Sequence, residues 1–256
     1  MIFYLGVHEP AWLARTAVPL FVSRRRLVRR KSMPRALGSW ALDSGGFTEL
    51  SMHGGWTVPP SQYAAEVRRF RDEIGGLEWA APQDWMCELF ITRKTGRTVA
   101  EHQRLTVENL LELRSLAPDL PFVPVLQGFT MDDYMRCVDA YHAAGVDLAA
   151  ERVVAVGSVC RRQSTSEILT ICRRLAGLGL RLHGFGVKTL GLPGLRSVLA
   201  SADSTAWSMR ARRSAPMPGH AHKSCANCLP FALRWRESLL GLLEMPEQIS
   251  LGLKEW

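Results

Sequence analysis

The chain has 256 residues, 47% of them hydrophobic, with 32 Lys and Arg against 24 Asp and Glu and a formal net charge of +8. That size suffices for a substantial core in one large domain, and the positive excess favours a polyanionic partner. No apolar stretch approaches bilayer length, and Met1-Ile2-Phe3-Tyr4 lacks the basic start of a secretory signal, so a cytoplasmic, membrane-free location is expected.

In chain order, short apolar runs predict strands at 2–6, 18–22, 40–43, 77–81, 122–126, 153–157, 182–186 and 199–202. Helical periodicity falls between them, most clearly at 61–74, 99–116, 131–144 and 165–177. Thr130 with Asp133, and Ser164 with Glu167, have the spacing of reciprocal helix-start caps. Eight alternating strand candidates predict a (β/α)8 TIM barrel, with an open doubly wound sheet as the alternative. Residues 1–215 form the expected barrel. The tail, 216–256, reads as a His/Cys-rich loop followed by an apolar helix around 231–243, packed on the barrel as an appendage.

Arginine is unevenly placed. Arg24, Arg25, Arg26, Arg29, Arg30 and Lys31 form one cluster, and Arg210, Arg212 and Arg213 a second. Both are candidate phosphate contacts, which would make binding fall with added salt; a solvated basic face is the other reading of the first. Of the six cysteines, Cys87, Cys137, Cys160 and Cys172 read as ordinary core thiols.

Trp40-Ala41-Leu42-Asp43-Ser44-Gly45-Gly46-Phe47 ends an apolar strand in an acid, two glycines and an aromatic residue. Taken alone, Asp43 reads as a turn cap before it reads as a catalyst. Other polar groups occupy comparable positions: Asp84, Gln127 with Gly128, Gly157 and Asp203 each follow a strand candidate. In a barrel, residues at the C-terminal strand ends converge on one mouth. Phe47, Trp85 and Phe129 are candidate base-stacking rings or core lids, and His183 and Lys188 flank Gly184-Phe185-Gly186 nearby.

Here the chain resembles the tRNA-guanine transglycosylase superfamily, particularly its DNA-modifying 7-deazaguanine branch. Asp43-Ser44-Gly45-Gly46-Phe47 is similar to the family's Asp-Ser-Gly-Gly-Phe signature, Gln127-Gly128 to its Gln-Gly element and Val156-Gly157 to its later glycine-bearing strand end. The segment 201–213 resembles the one that carries the nucleophilic Asp. The resemblance implies exchange of guanine in DNA for a 7-deazaguanine, with tRNA as the alternative substrate and a non-catalytic nucleic-acid-binding protein as the non-enzymatic one. It implies Asp203 as nucleophile at C1′, Asp43 as general acid/base and Asp84 as guanine reader. Ser44, Gly45, Gly46, Phe47, Gln127, Gly128 and Gly157 then complete the base site. The implied partners are DNA, a free base such as preQ0 and a DNA-opening or targeting protein; no organic cofactor is implied.

His220-x-His222-x2-Cys225-x2-Cys228 places four metal-type ligands within nine residues. The Cys-x2-Cys spacing is that of a structural zinc knuckle, with a reduced thiol pair as the other reading. The tRNA-acting relatives use three cysteines and a later histidine. That pattern is incomplete here, which makes Cys225 and Cys228 the firmest ligands, His222 the next and His220 the last.

Overall fold

A computed structural model describes residues 1–159 and 165–244. The strands are β1 (Ile2–Val7), β2 (Leu20–Ser23), β3 (Trp40–Asp43), β4 (Leu77–Ala80), β5 (Val125–Leu126), β6 (Val154–Val156), β7 (Leu182–Gly184) and β8 (Ser201–Ser204). The helices are α1 (Arg24–Leu27), α2 (Gly46–His53), α3 (Pro60–Ile74), α4 (Leu89–Thr95), α5 (Val99–Leu116), α6 (Met131–Ala143), α7 (Thr165–Ala176), α8 (Leu192–Leu195), α9 (Ala206–Arg213) and α10 (Leu229–Glu244).

The eight strands form one parallel sheet in the order β4-β3-β2-β1-β8-β7-β6-β5, so the first strand lies beside the last. That neighbourhood is foreign to a doubly wound sheet and makes the fold TIM-barrel-like. The sheet curls until its edges touch at one parallel bridge, Ala80 with Phe122. There Ala80 N donates to Pro121 O (3.0 Å) and Val123 N to Ala80 O (3.2 Å).

Differences from the expected strands have a chemical cause. Prolines lack the N–H that a ladder needs. Thus β2 begins at Leu20, after Pro19, and β5 shrinks to two residues after Pro124. Helix starts follow the side-chain code more closely. Thr98 with Glu101 and Thr130 with Asp133 both form complete capping boxes, which define the first turns of α5 and α6. Cys160 and the expected cap residue Ser164 lie outside the described residues.

The two-residue period of a strand sorts the side chains onto two faces. Phe3, Leu5, Leu20, Val22, Trp40, Leu42 and Ala202 point outward into the main core beneath the helices. Tyr4, Phe21, Ala41, Trp79, Val123 and Val153 point inward and pack as a separate cluster on the concave face. His183 joins them, its ring centroid 4.7 Å from Trp79. The inner face is therefore a filled plug at this level.

The outer layer is uneven. Between β1 and β2 the chain makes only a 3-10 turn, Pro10–Ala14. The expected C-terminal helix, α10, supplies part of the missing cover. Its Leu229, Ala232 and Leu239 are buried in the same core as Phe3, Trp235 stacks near Phe3 at 6.0 Å, and Arg236 donates to Phe3 O (3.1 and 3.3 Å). Trp207 on α9 is fully buried, donates Nε1–H to Gly6 O (2.8 Å) and lies 5.3 Å from Trp12. This contact ties the segment after β8 to β1. Trp207→Phe keeps most of the apolar surface but strands a buried carbonyl, so urea unfolding should show a loss of about 1–3 kcal/mol; unchanged stability would mean that Gly6 O gains another donor.

Candidate active site

The inward parity that gives the plug also gives the mouth. Two residues beyond Tyr4, Phe21 and Ala41 come Gly6, Ser23 and Asp43; the same step from Val125, Ala155, His183 and Ser201 reaches Gln127, Gly157, Phe185 and Asp203. All seven line one cavity of about 610 Å³ at the C-terminal ends of the strands. Asp84, Gly45, Gly46, Phe47, Arg25, Arg26, His8, Ser158 and Lys188 complete much of its wall.

Asp43 ends β3 at the point where the chain turns. Gly45 takes the left-handed conformation (φ 82°) that begins α2, and its N–H donates to Asp43 Oδ1 at 3.1 Å. Burial pushes the Asp43 carboxyl above its usual range, and the charge of Asp203 pushes the same way; the Gly45 and Ser23 hydrogen bonds and Arg25 pull against it. Asp203 lies within β8 rather than after it and is 5% exposed. Its Oδ1 accepts from Gly186 N (2.8 Å) and lies 3.4 Å from Nε2 of His183. His183 itself is fully buried and contacts Ser201 Oγ through Nδ1 (2.9 Å), a support beneath the acid rather than a wall of the cavity.

Asp84 stands in the loop after β4. Ser44 Oγ donates to its Oδ1 (3.0 Å) and Gln127 Nε2 to its Oδ2 (2.5 Å). Burial, followed by the charge of Asp43, raises its carboxyl to about 7 despite these donors. Gln127 is fully buried, and its Oε1 accepts from Ser158 Oγ at 2.7 Å. Both ends of the amide are thus engaged within the protein, and Gln127 acts as a brace for Asp84. Gly157 explains itself through that brace: a Cβ there would lie 2.3 Å from Gln127 Nε2. Gly128 and Ser44 are not part of the cavity wall. A Cβ at Gly128 would meet Asp133 Cβ and Tyr134 N at 2.9 Å, so its smallness seats α6.

The arginines divide. Arg24 is 6% exposed and bound by Glu66 (Nε–Oε2, 2.5 Å) and Glu49 (3.6 Å), so its charge is spent inside the fold. Arg25 and Arg26 are exposed and reach the cavity. Arg29 is exposed outside the cavity wall, and half-buried Arg30 lies 3.7 Å from Glu9. Arg210, Arg212 and Arg213 are exposed on α9. Arg26 and Arg212 come together at His8, whose imidazole is lowered by burial and then by these two cations. Of the candidate stacking rings, only Phe47 reaches the cavity. Trp85 packs against His102 and under Arg97, and Phe129 stands 43% exposed elsewhere. His8 and Ser158 were not singled out in the sequence, although both follow strand candidates by the rule that found Asp203.

The tail brings all four expected ligands together. His220 Nδ1, His222 Nε2, Cys225 Sγ and Cys228 Sγ lie within 4.8 Å of one another. The nitrogen pair is 3.2 Å apart, and nitrogen–sulfur separations run 3.1, 3.5 and 3.8 Å. Tetrahedral zinc at its usual bond lengths asks for edges of roughly 3.3–3.8 Å, so this group can hold such a metal. Ser208 Oγ on α9 donates to Ala226 O (2.8 Å), which fastens the loop to the helix after β8. Among the described residues, no helix is long and apolar enough to cross a membrane.

Fold and cavity define a TIM-barrel-like protein with an acid-lined site at the strand ends. The family model DpdA, DeoxyPurine in DNA protein A, matches residues 1–253, and the chain belongs to that family, the DNA 7-deazaguanine transglycosylases of the tRNA-guanine transglycosylase superfamily. Among solved structures, a candidate isomerase from Sinorhizobium meliloti in an open-loop conformation aligns at 11% identity and a TM-score of 0.41. The alignment covers 78% of this chain but 49% of that one, so this chain spans about half of that protein's length. The chain matches none of the curated proteins.

Two outcomes follow from the geometry. Gly157→Ala drives the Gln127 amide off Asp84, removing a donor to the charged form. Carboxyl NMR should then show Asp84 titrating above its value of about 7, with stability lower by about 1–3 kcal/mol from overpacking; an unmoved titration would break the proposed link. The purified protein should carry about one zinc per chain, retained through gel filtration. Cys225→Ser should release it and lower the melting temperature, whereas metal-free protein of equal stability would rule out the staple.

Proposed function

We propose that this chain exchanges guanine in DNA for a free 7-deazaguanine base, through a covalent link between Asp203 and C1′ of the target nucleotide. The reading is carried by one observation: Asp43, Asp84 and Asp203, far apart in sequence, line the same cavity in a chain of the DpdA family. Of the three, Asp203 has the setting of a nucleophile. A backbone N–H holds one oxygen, with a buried imidazole 3.4 Å from it, which leaves the other for the sugar.

Asp43 supplies the proton. Its raised carboxyl keeps a proton to higher pH than an exposed acid would. As Asp203 attacks, the C1′–N9 bond breaks and its electron pair leaves with guanine, which takes the Asp43 proton. The incoming base then gives its N9 proton to the Asp43 carboxylate. Its N9 bonds to C1′, and the Asp203 carboxylate departs as it came. No ATP is consumed because one glycosidic bond replaces another.

Asp84 reads the base. Its carboxylate accepts from N1–H and the 2-amino group, a donor pair that adenine lacks. Ser44 and Gln127 aim it, Gly46 lets it approach, and Phe47 offers an apolar wall. A Cβ at Gly46 would crowd the Trp56 ring at 3.2 Å and Asp84 O at 3.3 Å. Arg25, Arg26, Arg29, Arg30, Arg210, Arg212 and Arg213 grip phosphates around the mouth, while Arg24 braces α1 from within. Residues 1–215 serve as a closed catalytic barrel, and 216–256 as an appendage. Zinc held by His220, His222, Cys225 and Cys228 supplies structural cohesion there.

A base inside a duplex cannot reach a cavity above a filled plug, so the target nucleotide must first leave the stack. An opening or targeting protein fits that need. Incubation with labelled guanine and separate DNA and tRNA substrates tests the reading. Label should enter DNA, more readily when single-stranded, and Asp203→Asn should lower entry by at least about 1,000-fold while salt-sensitive DNA binding persists. Entry into tRNA alone would select the other substrate, and no entry under any of these conditions, opened DNA and partner included, would leave a binding protein.

A further inference from the structure

Behind Asp84 lies a buried polar chain that the exchange steps do not use. Its pivot is Ser158, 2% exposed and, at φ 56°, the one non-glycine residue with positive φ among the described residues. A serine holds that backbone only where its surroundings over-determine it. The placement secures the hydroxyl. Ser158 Oγ accepts from Cys87 N (2.8 Å) and donates to Gln127 Oε1 (2.7 Å), with Glu88 Oε2 as a second acceptor at 2.9 Å. Gln127 in turn gives its N–H to Asp84.

The chain has a direction. Gln127 is fully buried, and both ends of its amide are engaged by protein groups. Were the amide reversed, its Oε1 would face Asp84 Oδ2 across the same 2.5 Å, which only a protonated Asp84 can meet. The direction of the Ser158 hydroxyl therefore bears on the charge of the acid that faces the cavity. We propose that Ser158 is a specificity-determining positioning residue: by turning the Gln127 amide it keeps Asp84 a carboxylate, so the site takes purines with N1–H beside a 2-amino group and rejects those with an N1 lone pair. The proposal rests on the base-exchange reading above and adds to it the residue that sets the base class.

The charges around Asp84 make the donors decisive. Asp43 opposes its ionisation, the buried Tyr63, Cys87 and Tyr141 face it as neutral groups whose own ionisation its charge opposes, and Glu88 lies beyond Ser158. Among the described residues, Ser44 and Gln127 are the side chains that donate to it, beside its own backbone N–H. Losing the direction of one of them shifts the balance toward the neutral acid, which donates to an N1 lone pair instead of accepting from N1–H.

Ser158→Gly removes the hydroxyl and suits the left-handed backbone, so the fold should hold. Calorimetry on the full chain would follow guanine and 2,6-diaminopurine, which share the 2-amino group and differ at N1 and position 6, from pH 5.5 to 9. In the wild type, guanine affinity should fall as pH drops through about 7. In Ser158→Gly that fall should begin about one pH unit higher, with guanine binding about fivefold weaker at pH 7 and the preference over diaminopurine reduced about tenfold. Gln127→Glu, which removes the N–H altogether, must move the limb the same way. An unchanged limb and preference in Ser158→Gly, with guanine still bound by the wild type, would overturn the role of Ser158 alone. Failure of the wild type to bind guanine would instead overturn the base-exchange reading, and this proposal with it.

Discussion

Everything in this molecule depends on the two-residue period of parallel strands wrapped around a common axis. One parity class faces the helices and supplies the main apolar core. The other faces inward, and along each strand it changes character once. It is bulky and aromatic at Tyr4, Phe21 and Trp79, and small or acidic at Gly6, Ser23, Asp43 and Asp203. The plug denies water and ligand the lower half of the sheet. The same plug forms the floor on which the acids stand, partly desolvated and close enough for Asp203 to influence the proton on Asp43.

Desolvation then does what water would prevent. An exposed pair of carboxylates would both be ionised at neutral pH and screened from each other. Here Asp43 and Asp84 are both raised, by burial first and by neighbouring charge second. Their hydrogen bonds differ, and so do the uses open to them. Asp43 is held by a backbone N–H within its own turn and by Ser23 at the end of β2, whereas Asp84 is held by side chains from two other loops, Ser44 and Gln127. An acid held by few donors beside a second acid is suited to proton transfer. One braced from several directions is suited to reading a planar partner.

Much of this was legible in the sequence because strand ends announce themselves. Asp43, Gln127, Gly157 and Asp203 each follow an apolar run, and the parity of each run sends them to the same side. The strand boundaries were less legible where proline intervenes: Pro19 and Pro124 sit inside apolar runs and withdraw a donor from the ladder. Individual side chains were less legible still. Nothing in a run of arginines marks Arg24 as the one that turns inward, because its partners Glu66 and Glu49 come from other elements. Ser158 carried no signal beyond its place after Gly157, since its importance lies in a left-handed backbone and a hydroxyl shared by three loops. His220 seemed the weakest metal ligand from its spacing, yet the loop folds so that both histidines point inward.

The proposed exchange assigns the attack on the sugar to Asp203, one of whose oxygens accepts from Gly186 N, and not to Asp43. The direct measurement is to trap the protein on a single-stranded guanine-containing oligonucleotide in the absence of incoming base, digest it and map the nucleotide-bearing peptide by mass spectrometry. The account predicts an abasic nucleotide ester-linked to the peptide containing Asp203. An adduct on the peptide containing Asp43 would contradict it.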